Sequence, residues 1–411
     1  MKLIPELRFP EFKSNGSWKA SKIGSFAKVS SGGTPSSNEP KYWGGEIPWM
    51  NSGELNLKRV YDVENRITEL GLKESSTKKI PSLCILIGLA GQGKTRGTAA
   101  INYIELCTNQ SIAAIHPNKS KFDSEFLFQK VDSLYQKLRR LSTGQGGRGG
   151  LNLSIIREIK IPLPSLEEQQ KIASCLSSLD DLIAAHIDKL DALKDHKKGL
   201  LQNFFPQEGE TVPKVRFPEF ENDGEWVEDD IGSLFKFKQG VQVPVGNQFT
   251  EQEDDMVRFI RIIDITSNTE PPRYIENPGD AHVISANDLF MIRYGTPGLI
   301  SIGFEGVIAN NLFRLIWKSE KRNQPKYWFY AFQRLESFIY NLSSSSSMPA
   351  ISFSTLEGLK ISFPPTIKEQ HKIASCISAV DELITAQQEK IEQLKKHKKG
   401  LMQGLFPKIE S

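Results

Sequence analysis

The chain is written twice, and that duplication limits its architecture more than any other feature. Pro5-Glu-Leu-Arg-Phe-Pro-Glu-Phe12 returns as Pro213-Lys-Val-Arg-Phe-Pro-Glu-Phe220, a shift of 208 residues. At the same shift Gly16, Trp18, Ile23, Gly24, Lys28 and Gly32 match Gly224, Trp226, Ile231, Gly232, Lys236 and Gly240. A second block, Glu168-Gln-Gln-Lys-Ile-Ala-Ser-Cys175, returns as Glu369-Gln-His-Lys-Ile-Ala-Ser-Cys376, now shifted by 201. At that shift His196-Lys-Lys-Gly-Leu200 and Phe205-Pro206 match His397-Lys-Lys-Gly-Leu401 and Phe406-Pro407. A period this long is not that of a solenoid, whose units run to a few tens of residues. It marks a duplicated domain with its own helix, and hence pseudo-two-fold geometry.

The repeated helices are legible in detail. Ser165-Leu-Glu-Glu168 and Thr366-Ile-Lys-Glu369 each follow a proline and read as capping boxes. Beyond them apolar residues recur at heptad spacing. In copy one they are Leu176, Leu179, Ile183, Leu190 and Leu193, continuing to Leu200 and Phe204. In copy two they are Ile377, Val380, Ile384, Ile391 and Leu394, continuing to Leu401 and Leu405. Polar residues interrupt both seams at matching places, His186 with Gln387 and Lys197 with Lys398. Such interruptions fix register in paired helices at some cost in stability. The two helices are therefore expected to pair antiparallel as a spacer, about 45 Å long for some thirty residues.

The rest of each copy mixes strands and helices. Strands are predicted at 84–88, 99–104 and 112–116 and a helix near 122–140; copy two echoes them at 289–293, 299–304 and 312–317, with a helix near 326–340. Short apolar strands, 155–164 and 356–365, then lead into the long helices. The expected fold is an α/β (α+β) recognition domain used twice, plus the helix pair. Boundaries fall at 1–160, 161–206, 207–361 and 362–411.

Charge narrows the function. Net charge is +3, but residues 1–160 hold 24 Lys/Arg against 14 Asp/Glu, while the remainder hold 28 against 35. A basic first half can meet phosphates; in the second half any such site must be a local patch. The four cysteines form no CxxC pair and no zinc spacing. Neither a signal peptide nor an apolar run of membrane length is evident, so a cytoplasmic setting is expected.

These features together resemble the specificity subunit of Type I restriction-modification systems. The most specific are the paired Glu-Gln-x-Lys-Ile-Ala helix openings and the endings Phe204-Phe205-Pro206 and Leu405-Phe406-Pro407. Ser31-Gly-Gly-Thr-Pro35 followed by Tyr42-Trp-Gly-Gly-Glu-Ile-Pro-Trp49 also looks like the opening of such a recognition domain; Gln239-Gly-Val-Gln-Val-Pro244 departs from it. The resemblance implies that each recognition domain reads one half of a bipartite site in double-stranded DNA. It implies that the helices set the gap and dock two modification subunits, which methylate adenine with S-adenosylmethionine. Restriction subunits using ATP and magnesium would join them. No cofactor, metal or catalytic residue is expected in this chain.

The residue types that read bases are Arg, Lys, Asn, Gln, Ser and Thr on groove-facing elements. On that ground the DNA-contact candidates in copy one are Thr34, Ser36, Lys41, Tyr42, Asn51, Lys94, Arg96 and Arg148. In copy two they are Lys238, Gln239, Gln242, Arg261, Arg293, Tyr294 and Thr296. One stretch offers a rival. Gly88-Leu-Ala-Gly-Gln-Gly-Lys-Thr95 fits the Walker A pattern after a predicted strand, which would make the chain an ATP-binding enzyme. The matching turn of copy two, Tyr294-Gly-Thr-Pro-Gly-Leu299, has no lysine, and the residues after Thr95 read as a strand rather than a helix.

Overall fold

The structure is a computed structural model. It describes residues 2–91, 93–142, 150–207, 209–267, 269–319, 324–343 and 349–408. The chain divides into two units, one formed by 1–187 with 390–411 and the other by 188–389. Each unit thus holds one recognition domain, the beginning of one long helix and the end of the other.

In the first unit a five-stranded sheet runs in the order Val29–Ser31, Ile112–Ile115, Ile85–Gly88, Ala99–Asn102, Arg59–Val60. Its inner strands are buried along their whole length, as their unbroken apolar runs require. A four-stranded sheet, Asn65–Ile67, Trp43–Met50, Leu106–Thr108, Lys79–Ile80, lies beside it in sequence and shares its loops. The second unit repeats the plan. Phe235–Gln239, Leu312–Trp317, Leu289–Ile292 and Ile300–Ser301 form one sheet. Arg273–Glu276, Met256–Ile260, Gly306–Ile308 and Val283–Ile284 form the other. In both units a two-stranded ribbon, Lys19–Lys22 with Lys160–Leu163 and Val227–Asp230 with Lys360–Phe363, ties the start of the domain to the strand before its helix.

Local structure departs from the sequence reading in three places. The helix expected near 122–140 is two, Ser124–Ser133 and Tyr135–Leu141, meeting at Leu134. The expected strands 155–164 and 356–365 open as short helices, Leu153–Glu158 and Phe353–Glu357, capped by Asn152 and Ser352. Their side-chain oxygens accept from the amides of Ile155 and Thr355, and in copy one that cap outweighs the β preference of Ile155 and Ile156. The capping boxes are half formed. Ser165 and Thr366 accept from the amides of Glu168 and Glu369, both at 3.3 Å, but the two carboxylates turn elsewhere.

They turn to the repeated opening motif. Arg8 donates from Nε and Nη2 to the two oxygens of Glu168, each at 2.8 Å. Arg216 does the same to Glu369 at the same distances. The carboxylates are 1% exposed and the guanidiniums 8%, so both are buried, planar, two-point pairs. Glu369 holds the Arg216 pKa above its ordinary value. The helix ends close the same cores. Leu405 and Phe406 pack with Trp18, Phe126, Ile172, Ala173 and Leu176 in the first unit. Phe204 and Phe205 pack with Trp226, Tyr327, Ile373, Ala374 and Ile377 in the second. The end of one long helix therefore lies beside the beginning of the other, and the pairing is antiparallel. Both sequence blocks recur because they are two sides of one contact.

The matched glycines have a steric reason. A Cβ on Gly32 would lie 1.9 Å from the Thr108 carbonyl oxygen, and one on Gly240 would lie 2.2 Å from that of Ala309. Gly32→Ala and Gly240→Ala should each force a strand aside and lower stability by about 1–3 kcal/mol. Thermal unfolding checks this, and an unchanged midpoint would contradict the close approach.

Candidate nucleic-acid interface

The long helices run Leu166–Asn203 and Ile367–Leu405. Burial follows the heptad. Leu176, Leu190, Ile377, Val380, Ile391 and Leu394 are buried, and Leu179, Ile183, Leu193 and Ile384 are half-buried. Their neighbours Asp181, Leu182, Asp191, Lys194, Glu382 and Leu383 are exposed. The polar interruptions are used. Lys398 donates to Asp180 at 2.5 Å in the first unit, and Lys197 lies 2.7 Å from Asp381 in the second.

Each of these aspartates also holds a recognition domain. Asp180 accepts from Gln129 at 2.7 Å and from Arg59 at 3.1 Å, and Arg59 is bound two-fold by Glu125. Burial disfavours the Arg59 charge, but Glu125, Tyr103 and Asp180 outweigh it and its pKa is raised. Asp381 accepts from the Tyr330 hydroxyl at 2.8 Å. One acid thus joins helix to helix and helix pair to domain, in each unit by different partners.

The candidate contacts fall into two kinds. Thr34, Ser36 and Lys41 are exposed on the segment before strand Trp43–Met50, with Tyr42 half-buried under Lys41 at 5.5 Å. Thr34 donates to Gln110 at 2.6 Å, and Lys41 lies 3.4 Å from Glu39. In copy two Gln239 donates to the Asn310 carbonyl and accepts from Arg293 at 2.7 Å. Arg293 lies over Phe353 at 4.4 Å and Tyr294 at 5.1 Å, while Gln242 and Thr296 are exposed. In copy one the segment after the matched glycine meets the turn Asn109-Gln110, and in copy two the residue before it, Gln239, meets the turn Asn310-Asn311. Sequence reasoning missed those amides, although Asn109 and Asn310 stand 201 apart. The surface they share with the candidates offers hydrogen-bond donors and acceptors.

The second kind has structural work. Asn51 caps the 3-10 helix Ser52–Leu57, accepting from the Gly53 amide at 2.8 Å. Arg261 pairs with Asp264 at 3.0 Å and Glu270 at 2.8 Å. Lys238 donates to the Ala281 carbonyl. Arg148 lies outside the described residues.

The Walker-like stretch is a hairpin. Ile85–Gly88 pairs antiparallel with Ala99–Asn102, so a strand follows where a phosphate loop needs a helix N-terminus. Lys94 is exposed, Arg96 half-buried, and the loop is held by Arg139 donating to the Gly93 carbonyl; Gln92 lies outside the described residues. A strand rather than a helix after Thr95 contradicts nucleotide binding by this stretch. Purified chain should show no saturable ATP binding, and Lys94→Ala should leave that unchanged; saturable binding abolished by this change would contradict the hairpin reading.

Among the described residues no cluster of His, Cys, Asp and Glu could hold a metal, and no helix is long and apolar enough to cross a membrane. The sequence matches the Type I restriction modification DNA specificity domain over residues 15–195 and again over 223–396. The chain belongs to that family. The family is one of DNA-specificity subunits, not of catalytic ones. The MjaIX specificity subunit of Methanocaldococcus jannaschii is 27% identical over 427 residues, 95% of this chain and 92% of that one. The EcoR124I/EcoR124II specificity subunit of Escherichia coli is 30% identical over 169 residues, 40% of this chain and 41% of that one. The solved S subunit from M. genitalium shares the fold at TM-score 0.63 and 15% identity, covering 99% of this chain and 100% of that one. A chain from a structural study of complex assembly and conformational transition in the type I R-M system aligns at TM-score 0.59 and 18% identity, over 95% and 97%.

Proposed function

We propose that domains 1–160 and 207–361 each read one half of a split site in double-stranded DNA, while helices 161–206 and 362–411 set the gap between the halves. The observation that carries this is the duplication. Each unit has the same two-sheet domain clamped by the same buried Arg–Glu pair to the same helix pair, yet the exposed polar residues differ between the copies. A scaffold kept constant beneath two different surfaces suits two different half-sites. In this reading the exposed faces of the helices dock two modification subunits, and restriction subunits join them in the cytoplasm. S-adenosylmethionine, ATP and magnesium act in those partners.

Replacing residues 13–160 by the first recognition domain of another family member tests the assignment. The methylated-adenine map should then change in one half-site and keep the other. If both halves change together, one domain does not read one half.

A further inference from the structure

The first unit contains a cavity of about 760 Å³ between the helices Ser124–Ser133 and Tyr135–Leu141 and the end of the second long helix. Lysines dominate its wall. Three are neutralised: Lys398 by Asp180, Lys395 by Glu392 and Lys408 by Glu6. Four others, Lys130, Lys137, Lys160 and Lys399, have no carboxylate within 4.0 Å among the described residues. Lys130 is 8% exposed, its amine 4.9 Å above the Phe406 ring. Burial, and then Lys137, push its pKa down to about 8. Lys160 stands opposite Lys22 across the two-stranded ribbon, and Lys22 is itself paired with Glu158 at 2.5 Å.

Lys395, Lys398 and Lys399 recur in the duplicate as Lys194, Lys197 and Lys198, but its other positions carry less positive charge. There the ribbon sets Asp230 opposite Lys360, and Lys360 is paired with Glu228 at 2.9 Å. Lys130 is matched by Ala331, and residues 131–141 include Lys137, Arg139 and Arg140, whereas the matching 332–342 hold Arg334 and Glu336 and no lysine. Lys408 is matched by Gln207. The fold has kept the helix-end contact in both copies and added positive charge in one.

We propose that this cavity is a phosphate-binding site for the DNA backbone, made only by the first copy. Four uncompensated ammonium groups around one concavity repel one another, and an anion relieves that. A partner protein that docks once on each duplicated helix would find its site in both copies; DNA with two unlike halves need not. The cavity also continues the basic hairpin edge. The helix Tyr135–Leu141 presents Lys137 to it, while Tyr135 donates to the Lys94 carbonyl at 3.2 Å. Lysine suits such contacts, since it meets phosphate as a point charge without reading bases.

The inference rests on the DNA-reading role proposed above. It is tested on the complex of this chain with its modification subunits, by titrating a duplex carrying the methylated site at several salt concentrations. Each lysine–phosphate pair that is removed lowers the slope of log K against log salt by about 0.9. Lys137→Asn combined with Lys399→Gln should make the slope shallower by about 2, weaken binding most at low salt and leave the methylated sequence unchanged. Lys160→Gln alone, at an exposed position, should remove about 1 and serves if the double variant folds poorly. An unchanged slope in folded variants overturns the inference. Failure to associate with the modification subunits at an unchanged slope also overturns it and assigns the cavity to an acidic protein segment. Wild-type complex without salt-dependent DNA binding would instead overturn the DNA-reading role itself.

Discussion

Replacing Glu168 by alanine should destabilise the first unit by about 3–5 kcal/mol, because it leaves the Arg8 guanidinium buried and unpaired. For a unit of this size that lowers the unfolding midpoint by roughly 10 °C. Arg8→Ala should cost about as much, by orphaning the carboxylate. The double variant should cost much less than the sum, since neither charge is then stranded. Glu369→Ala should do the same to the second unit through Arg216, and should also free the Trp226 indole, which donates to Glu369 at 3.3 Å. Differential scanning calorimetry on the full chain resolves the outcome. Losses below about 1 kcal/mol for the single variants would show that water reaches the pair and that the contact does not clamp domain to helix.

Lengthening both helices together should lengthen the gap between half-sites. Repeating Leu190–Leu193 in one helix and Ile391–Leu394 in the other keeps apolar residues on the seam. Four residues add about 6 Å of rise and leave the helix roughly 40° past a full turn. B-DNA rises about 3.4 Å and turns about 34° per base pair. Translation and rotation both point to a gap longer by about one or two base pairs, with both half-sites unchanged. An insertion in one helix only would set Lys197 and Lys398 out of step with Asp381 and Asp180, and loss of folding is expected instead. An unchanged gap in a folded, active matched variant would leave the helices as docking surfaces only.

The scaffold was more legible in the sequence than the reading surface, for a physical reason. Heptad spacing, the Glu-Gln-x-Lys-Ile-Ala openings and the Phe-Pro endings report buried contacts, which repeat because both copies must pack identically. Even there the sequence spoke of pattern rather than partner. Glu168 looked like half of a capping box, whereas its carboxylate lies with Arg8, 160 residues away. The Walker-like stretch misled in the same way, since spacing alone does not say whether a helix or a strand comes next. On the reading surface no periodicity operates. Asn51 and Arg261, chosen by residue type, serve a helix cap and an ion-pair cluster. Gln110 and the Asn310 turn, beside Thr34 and Gln239, become visible only when the loops are brought together.

That one chain reads two separated half-sites with two domains is tested most directly by a map of methylated adenines in cells carrying this chain with its modification subunits. One bipartite motif is expected, two unlike specific blocks divided by an unread gap of fixed length. A single uninterrupted motif, or two blocks joined by a gap of variable length, would contradict the two-domain reading.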